Sequence, residues 1–435
     1  VAAWAGSSFN SSLGNLTLNM GAGSRLFIAS DVGVLLSNST PTNIFSATTG
    51  PTINGTDYKR LMLYISELTV DQAVNLDNAT DAYNLLEVAN SSIINNNTIS
   101  GTQAGQVAMA QENDSTLYPK SKVTLTNNGA INLTGANSTG MYTKFGILDN
   151  ASTGTITVGD SSTGMYGIQD SELYNTGTIT IGTNSTGMYS KGPTTPLKNA
   201  GIITSAGSDS IAMLYKPTVS SAGTTMLENT GTIAMTGDKN VGLYATGSSY
   251  NALNSGRITM GNSASLSNPN VALYTDTASN TLENSGTITT GANTIGMYGH
   301  QATISGGSVN VGDGGVAIYS QSGNVNLNSG AISVGANEAV GVYTIGSGQT
   351  ITNNLTGMTI GDTSFGFVNV GTGNTITSNT ANVLLGNNAV YIYSNDTAGT
   401  VTNSTNITST GTTGGNYGLY SAGTVTNSGN IDFST

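Results

Sequence analysis

Few residues in this sequence could carry acid–base or metal chemistry, and they are far apart. The 435-residue chain contains one histidine, His300, no cysteine, and only 8% charged residues. A zinc site needs several histidine or cysteine ligands, and a Ser/His/Asp triad needs its histidine beside a nucleophile. We expect His300 to be an exposed turn residue. The sequence therefore predicts no metal, no cofactor and no hydrolytic triad.

Four aspartates follow a glycine at the end of a predicted strand, a position that could suggest calcium. Calcium requires several oxygen ligands that converge on one point, here from neighbouring repeats. Equivalent positions in other repeats carry threonine, asparagine or alanine, and two consecutive repeats never both carry aspartate. We therefore predict turn-forming residues rather than calcium ligands at Asp160, Asp238, Asp313 and Asp362.

Polysaccharide-degrading enzymes cluster carboxylates with lysine or arginine on one face. The best candidates here are Asp170 and Glu172, which the repeat spacing places near Lys191 and Lys198 in neighbouring turns. So thin a cluster is typical of a solvated or ion-paired surface. We therefore predict that the protein is not an enzyme.

Composition points to many short strands. Glycine accounts for 58 residues, proline for 7, and threonine, isoleucine and valine are abundant in alternating runs. The net charge is −12 and no basic residue follows Arg257, which makes nucleic acid and anionic lipid improbable partners. No apolar run is long enough to span a membrane as a helix. The chain begins with "VAAW" and ends inside a repeat, so we expect a piece of a longer protein whose export signal and anchor lie elsewhere.

A tyrosine closes a recurring phrase, as in "NTGTITIGTNSTGMY" (175–189). Val368 takes its place once, and the spacing averages about 25 residues, which is the range of solenoid repeats. The tyrosines are Tyr142, Tyr166, Tyr189, Tyr215, Tyr244, Tyr274, Tyr298, Tyr319, Tyr343, Tyr393 and Tyr420.

Each repeat reads as three short strands. Side chains alternate along a strand, so Ile179 and Ile181 share one face, which we expect to be buried. In the third strand the same rule places Val241 and Leu243 inside and Tyr244 outside. Three strands with one apolar face each close into a coil. The sequence therefore predicts an all-β fold, a right-handed parallel β-helix (β-solenoid) with about 25 residues per coil.

Glycine and asparagine are expected at the corners between strands, because both tolerate positive φ. Asparagines such as Asn175 and Asn199 recur at one corner, and stacked asparagines can hydrogen-bond along the coil. The stretch 261–274 is longer than its counterpart 291–298, so we expect a loop to protrude there.

We divide the chain into an irregular segment, 1–120, and regular repeats, 121–435. Residues 91–110 resemble a degenerate coil, and 75–90 could form either a short helix or a long loop. Binding residues concentrate where loops interrupt a rigid scaffold, although this segment could equally cap the solenoid. The candidate binding residues are Trp4, Tyr58, Lys59, Arg60 and Tyr64.

The recurring tyrosines have two interpretations. Outward aromatic rings beside small residues could stack on the apolar faces of sugars. Alternatively, the tyrosines stabilise the sheet by stacking on each other. Repetition favours the second interpretation, since a binding site rarely needs a dozen copies.

Two stretches resemble a known family. "NGAINLTGANSTGMY" (128–142) and "NLDNATDAYNLLEVANSSIINN" (75–96) are similar to the passenger regions of fusobacterial RadD-like autotransporter adhesins, and the resemblance covers roughly residues 60–435. It implies a type V secreted, outer-membrane surface protein involved in coaggregation, host-cell attachment and virulence. The implied partners are a host cell-surface protein receptor, a galactose-type glycan or another bacterium.

Three functions follow from these observations. A non-catalytic surface adhesin is the first. A structural spacer or self-associating β-solenoid, with binding done elsewhere in the parent protein, is the second. A polysaccharide-active enzyme is the third, and the scarcity of clustered charge weakens it.

Overall fold

A computed structural model describes residues 17–19, 25–36, 52–54, 60–70, 73–78, 86–89, 92–112, 122–192, 196–217, 224–247 and 250–434. The chain divides into two compact units. Unit 1 comprises Val1–Ala206 with Lys216–Thr218, and unit 2 comprises Gly207–Tyr215 with Val219–Thr435. Strands dominate both units, and the one helical element among the described residues is a single 3₁₀ turn, Leu76–Asn78. None of the described segments forms a helix that could cross a membrane.

Unit 1 holds the first twenty strands of the described chain. They are β1 (Thr17–Asn19), β2 (Arg25–Leu36), β3 (Thr52–Asn54), β4 (Arg60–Val70), β5 (Val74–Asn75), β6 (Leu86–Ala89), β7 (Ser92–Asn95), β8 (Thr98–Gly101), β9 (Val107–Glu112), β10 (Thr124–Asn127), β11 (Ala130–Leu133), β12 (Thr139–Lys144), β13 (Ile147–Asn150), β14 (Thr155–Val158), β15 (Thr163–Ile168), β16 (Glu172–Asn175), β17 (Thr178–Ile181), β18 (Thr186–Lys191), β19 (Leu197–Asn199) and β20 (Ile202–Ser205).

Unit 2 holds the remaining strands of the described chain. They are β21 (Ile211–Tyr215), β22 (Thr224–Asn229), β23 (Thr232–Met235), β24 (Val241–Ala245), β25 (Tyr250–Asn254), β26 (Arg257–Met260), β27 (Val271–Thr275), β28 (Thr281–Asn284), β29 (Thr287–Thr290), β30 (Ile295–Gly299), β31 (Gln301–Ile304), β32 (Ser308–Val311), β33 (Val316–Ser320), β34 (Val325–Leu327), β35 (Ala331–Val334), β36 (Val340–Thr344), β37 (Thr350–Asn353), β38 (Gly357–Ile360), β39 (Phe365–Asn369), β40 (Thr375–Ser378), β41 (Asn382–Leu385), β42 (Val390–Ser394), β43 (Thr400–Asn403), β44 (Asn406–Ser409), β45 (Tyr417–Ser421), β46 (Thr424–Asn427) and β47 (Ile431–Asp432).

Each turn contributes three strands, and every strand pairs in parallel with its counterpart one turn away. In unit 1, β13, β14 and β15 pair with β16, β17 and β18. In unit 2, β28, β29 and β30 pair with β31, β32 and β33. Stacked asparagines one turn apart are separated by 23 to 32 residues. The predicted parallel β-solenoid with three strands per coil and about 25 residues per coil is confirmed, whereas its right-handed sense and the boundary at residue 120 stay predictions.

The interior is built from the alternating residues that the repeat predicts. Ile131, Ile156 and Ile179 lie in register on β11, β14 and β17 and are fully buried. The matching positions in unit 2, such as Ile258 and Ile288, are also fully buried. Because each turn repeats the same buried positions, the apolar faces form one continuous core within each unit.

A column of buried asparagines closes one corner of the coil. Asn127 donates to Asn150 over 2.8 Å, and Asn150 donates to Asn175 over 2.7 Å. In unit 2, Asn229 donates to Asn254 over 2.8 Å and Asn254 to Asn284 over 2.7 Å. The predicted asparagine ladder is therefore present in both units.

The third strand of each turn bends after its second residue, which breaks simple alternation. In β24 both Gly242 and Leu243 are buried, while Val241 and Tyr244 lie toward the surface. A Cβ built on Gly242 would contact the carbonyl oxygen of Ala272, so the position requires a small residue. The prediction that Val241 points inward is therefore wrong, because the bend turns it to the outer face beside Tyr244.

In the same type of strand, the prediction for one of the recurring tyrosines also has to be corrected. Leu214 pairs with Tyr244, and Tyr215 pairs with Ala245. Tyr215 is fully buried, so the prediction that it faces outward is wrong. The phrase ending at Tyr215 has one more residue before its tyrosine than "VGLY" has, and in a strand a shift of one residue moves a side chain to the opposite face.

The less regular start of unit 1 contains one predicted coil. β7, β8 and β9 pair in register with β10, β11 and β12, as expected for residues 91–110. Within 75–90 the structure shows the end of β5, the 3₁₀ turn and β6, and no α-helix in its described part. Residues 79–85 lie outside the described residues, so the choice between helix and loop stays open there.

Candidate binding groove

The predicted binding residues of the N-terminal segment remain untested. Trp4, Tyr58 and Lys59 lie outside the described residues. Arg60 and Tyr64 belong to β4, which pairs with β2. Their part in binding stays a prediction.

The predicted turn aspartates accept hydrogen bonds from backbone amides. Asp160 accepts a hydrogen bond from the Thr183 amide over 2.8 Å, and Asp362 accepts one from the Asn387 amide over 2.7 Å. Each carboxylate thereby fixes the corner of the next turn. The hydrogen bonds lower the pKa of Asp362. No group of three or more metal-binding side chains occurs in the described part of the chain.

His300 is half-buried rather than fully exposed. Its Nδ1 lies 2.7 Å from Oγ of Ser322 in the next turn of unit 2. His300 is therefore a turn residue whose side chain contacts the corresponding corner of the next turn.

Outward tyrosines recur along the outer face in both units, but the residues beside them differ. In unit 1 the outward residue three positions before the tyrosine is threonine, as in Thr139, Thr163 and Thr186. In unit 2 the same position carries valine or isoleucine over six turns. These residues, called the apolar column, are Ile211, Val241, Val271, Ile295, Val316 and Val340.

Within unit 2 an uninterrupted set of five tyrosines, called the tyrosine column, lies beside the apolar column. Leu214 replaces tyrosine at one end and Val368 at the other. Val271, Ile295 and Val316 are only 5–7% exposed because the tyrosine rings pack against them. The five are Tyr244, Tyr274, Tyr298, Tyr319 and Tyr343.

The rings of the tyrosine column stack on each other. Tyr298 and Tyr319 have ring centroids 4.8 Å apart and an interplanar angle of 11°. Tyr274 stacks on Tyr298 at 5.4 Å, and Tyr343 stacks on Tyr319 at 5.2 Å. Both faces of the two central rings are therefore covered by neighbouring rings, as the sheet-stabilising interpretation expects. At Tyr298 and Tyr319 only ring edges and hydroxyl groups are available to a ligand, so these two rings cannot stack on the face of a sugar.

A loop forms one wall of this surface. In the turn that contains residues 261–270, asparagines of neighbouring turns are 30 residues apart, compared with 25 in the preceding turn. Residues 264–268 are exposed, so the predicted protruding loop is confirmed. Asn270 donates to the carbonyl oxygens of Gly237 and Gly261, both over 3.0 Å, and so fixes the loop base. Leu266 at the loop tip is 44% exposed.

The apolar column, the tyrosine column and the loop together line an open groove of about 840 Å³ in unit 2. Residues 266–269 form the wall, and Lys239 and Glu338 lie on the rim. Burial is the main cause that raises the pKa of Tyr274 and Tyr319, and neighbouring charges and tyrosines add to it. Their hydroxyl groups therefore stay protonated, and able to donate hydrogen bonds, at neutral pH.

A second cluster of polar groups lies in unit 1. Glu172 forms an ion pair with Lys122 over 2.6 Å and accepts a hydrogen bond from the Tyr174 hydroxyl over 2.9 Å. Sequence spacing instead placed Glu172 near Lys191 and Lys198, and Lys198 does lie opposite Tyr174 in the next turn. Burial, followed by the hydrogen bond and the charge of Glu172, raises the pKa of Tyr174 to about 12. A hydroxyl group with this pKa stays protonated at neutral pH.

This cluster predicts a measurable titration. Because the pKa of Tyr174 is about 12 in the folded state and 10.0 when unperturbed, its contribution to stability is constant below pH 10 and is lost between pH 10 and 12. We expect Glu172→Gln to lower the pKa of Tyr174, while burial keeps it above 10. NMR titration of ¹³C-labelled tyrosine, with Tyr174→Phe to assign the signal, measures both values. An unchanged pKa in Glu172→Gln, matching a Glu283→Gln control, would contradict the assigned cause.

The sequence contained a signal for the groove that simple alternation concealed. Between residues 241 and 343, the third strand of each turn has a branched apolar residue, then glycine or alanine, then an apolar residue and then tyrosine. A small residue recurring between two apolar residues indicates a bend and a close backbone approach. Read in this way, the change from "TGMY" to "VGLY" would have marked the apolar column.

Comparison with known proteins gives one similarity. Residues 8–216 match the family model described as the BigA third pectate lyase-like domain. No curated protein and no solved structure gives a significant match. Most of the groove lies beyond the matched residues, since Ile211 is its one lining residue within them. This chain is thus similar, over residues 8–216, to a pectate lyase-like domain.

Proposed function

We propose that this chain is a non-catalytic binding segment of a bacterial cell-surface adhesin, with the groove of unit 2 as its contact surface. The observation that carries the proposal is the local change of the repeat: branched apolar residues replace threonine over six turns, next to a protruding loop. A pure spacer needs neither change. An exposed apolar groove rimmed by polar residues is typical of an interaction site.

The resemblance of residues 60–435 to autotransporter adhesins supports an outer-membrane, extracellular location. A chain without cysteine is compatible with export in an unfolded state, because no disulfide has to form. Of the partners that this resemblance implies, the groove favours a host cell-surface protein receptor or a protein on a partner bacterium. A galactose-type glycan fits less well, because the faces of the central tyrosine rings are covered.

The proposal predicts that the purified 435-residue protein binds host cells or partner bacteria through the groove. Val271→Thr, Ile295→Thr and Val316→Thr together give the apolar column the residue type of unit 1. Each places a hydroxyl group in a buried cluster, so the fold of this variant has to be measured along with its binding. We expect this triple variant to lose at least about tenfold in binding, because it removes the apolar floor. Adherence of protein-coated beads and coaggregation of bacteria measure the effect.

The matched control is Thr163→Val, which changes the equivalent position in unit 1 in the opposite direction. Circular dichroism and thermal unfolding establish that each variant keeps the fold. Equal binding by the triple variant and the wild type would place the contact surface elsewhere. Absence of binding by the wild type to every cell tested would instead favour the spacer or self-associating solenoid.

An enzyme acting on polysaccharides is the second candidate, and the match to a pectate lyase-like domain favours it. The charged cluster of Lys122, Glu172 and Tyr174 lies within the matched residues. This candidate predicts turnover on a panel of acidic and neutral polysaccharides, lost in Glu172→Gln. Our proposal predicts no turnover on any of them.

A further inference from the structure

The tyrosine hydroxyl groups of the groove form a row of unused hydrogen-bond donors. Those of Tyr274, Tyr319 and Tyr343 have no hydrogen-bond partner among the described residues. The Tyr298 hydroxyl oxygen accepts a hydrogen bond from Nε2 of Gln321 over 2.7 Å, which leaves its own proton available. Among the described residues, the Tyr244 hydroxyl is the one of these five that donates to a protein group, Asp276, over 3.1 Å. A ligand in the groove therefore meets several donors, one turn of the coil apart.

The dimensions of the groove suit a short extended chain. The apolar column advances by one strand spacing per turn, so Val241 and Val340 lie about 19 Å apart along it. A polyproline II segment rises about 3.1 Å per residue, so about six residues span this length. Its carbonyl groups make no internal hydrogen bonds and accept them from outside. Its proline rings are apolar and fit the exposed Leu266 and the half-buried Ile211 and Val241 that line the groove.

Other ligand geometries fit less well. A peptide strand added to a sheet needs an unpaired strand edge. The strands beneath the groove, β27, β30 and β33, pair with a neighbouring turn on both sides. Stacking on sugars needs exposed ring faces, which Tyr298 and Tyr319 lack.

Charge at the rim selects among extended peptides. Glu338 is exposed and forms no ion pair with any described residue. No basic residue follows Arg257 in the sequence, so this end of the groove has no cation of its own. At the other end Lys239 has the acidic side chain of Asp209 one turn away, at the equivalent position. The rim thus favours a cationic ligand over an acidic one.

We propose that the groove of unit 2 binds a proline-rich peptide segment in the polyproline II conformation, with a basic residue of that segment beside Glu338. The tyrosine hydroxyls donate to the peptide carbonyls, and the apolar column and Leu266 pack against its proline rings. The inference rests on the proposed adhesin function and names its partner as an exposed proline-rich region of a surface protein. This is the recognition mode of aromatic-lined grooves that bind proline-rich segments.

Fluorescence anisotropy with the full 435-residue protein tests the proposal. The probe is a labelled peptide of six prolines followed by two arginines. Two comparison peptides replace the prolines by alternating glycine and serine, or the arginines by glutamates. We expect the proline–arginine peptide to bind at least about tenfold more tightly than either. A galacto-oligosaccharide and phosphatidylcholine vesicles should not compete with it.

Variants that keep the ring stack identify the site. Tyr319→Phe with Tyr343→Phe removes two donors and should weaken binding by roughly 30-fold, about one neutral hydrogen bond's effect for each. Tyr393→Phe, in the same outer column but outside the groove, is the matched control and should have no effect. Glu338→Gln should weaken binding of the arginine peptide by about fivefold. Glu283→Gln, the control for this variant, should have no effect on binding.

Equal affinity for the proline and glycine–serine peptides would overturn the proposal, and so would an equal effect of Tyr393→Phe. Competition by the oligosaccharide or the vesicles would assign the groove to another ligand. The cell-binding experiment distinguishes a wrong ligand from a wrong function. If cells bind through the groove but the peptide does not, the adhesin function stands and the ligand chemistry proposed here is wrong. If neither binds, both are wrong.

Discussion

Replacing Asn150 by alanine should lower the free energy of unfolding of unit 1 by about 3–4 kcal/mol. The side chain is fully buried and lies in the middle of the asparagine ladder. Its Oδ1 accepts from Asn127 and its Nδ2 donates to Asn175 and to the carbonyl oxygen of Gly154. Alanine removes both ends of this connection, so buried amide groups above and below lose their partners. The cost is large because no water can replace them.

Urea unfolding followed by circular dichroism, with amide hydrogen exchange to localise the effect to unit 1, measures this loss. The control is Asn128→Ala, the next residue, whose side chain donates to Asn96 at the surface over 2.9 Å. Water can satisfy that pair, so we expect a change below about 0.5 kcal/mol. A loss for Asn150→Ala that is no larger than the control's would mean that the ladder follows from the fold without stabilising it.

The coil itself could be predicted because each turn repeats the same physical solution. One isoleucine at the position of Ile179 is weak evidence, but its recurrence at the same offset from glycine and tyrosine fixes strand type, face and length. Parallel stacking then follows, since identical faces can be buried only against each other. The asparagine ladder could be predicted for the same reason, as asparagines at one corner necessarily stack.

Departures from regularity were harder to predict. Alternation assumes a straight strand, and the bend at Gly242 placed Val241 on the outer face. The error concealed the groove, because it placed Val241 in the interior instead of beside the tyrosine rings. Tyr215 was assigned to the outer face by its place in the phrase, although the register of β21 places Leu214 there. In both cases backbone geometry, rather than residue type, decided which side chain is exposed.

The binding surface could be predicted in part. The length of 261–274 indicated a loop, but not that Leu266 would lie beside an apolar groove. Similarly, Glu172 was recognised as a charged candidate, whereas its partner Lys122 lies 50 residues away in the sequence. Two turns of the coil separate them in sequence, so neighbour spacing alone could not identify the pair.

Tyr391 provides the second large effect, because it fills a gap in the asparagine ladder of unit 2. Ser378 lies in register between Asn353 and Asn403, at a position where most other turns have asparagine and two have Ile304 and Leu327. The fully buried Tyr391 hydroxyl lies 2.5 Å from Oγ of Ser378 and accepts from Asn353 over 3.0 Å. Tyr391 itself occupies the position of the small residue Gly366 in the preceding turn. The short serine and the large tyrosine are therefore matched to each other.

A double-mutant cycle tests this match. Tyr391→Ala alone should cost about 3–5 kcal/mol, because it leaves a cavity and removes the hydrogen bonds to Asn353 and Ser378. Ser378→Asn alone should cost about 2–3 kcal/mol, because the larger side chain meets the tyrosine ring. Together they restore the arrangement of the other turns, with an asparagine ladder and a small residue at the bend.

The double variant should therefore be less than about 2 kcal/mol below the wild type, well short of the sum of the single losses. Urea unfolding of the four proteins measures the coupling. Additive losses would show that Tyr391 and Ser378 are independent. Strong coupling would show that the bulky residue at this bend depends on the short side chain of Ser378 in the ladder. Such a dependence would then explain how one solenoid accommodates turns of different sequence without losing its register.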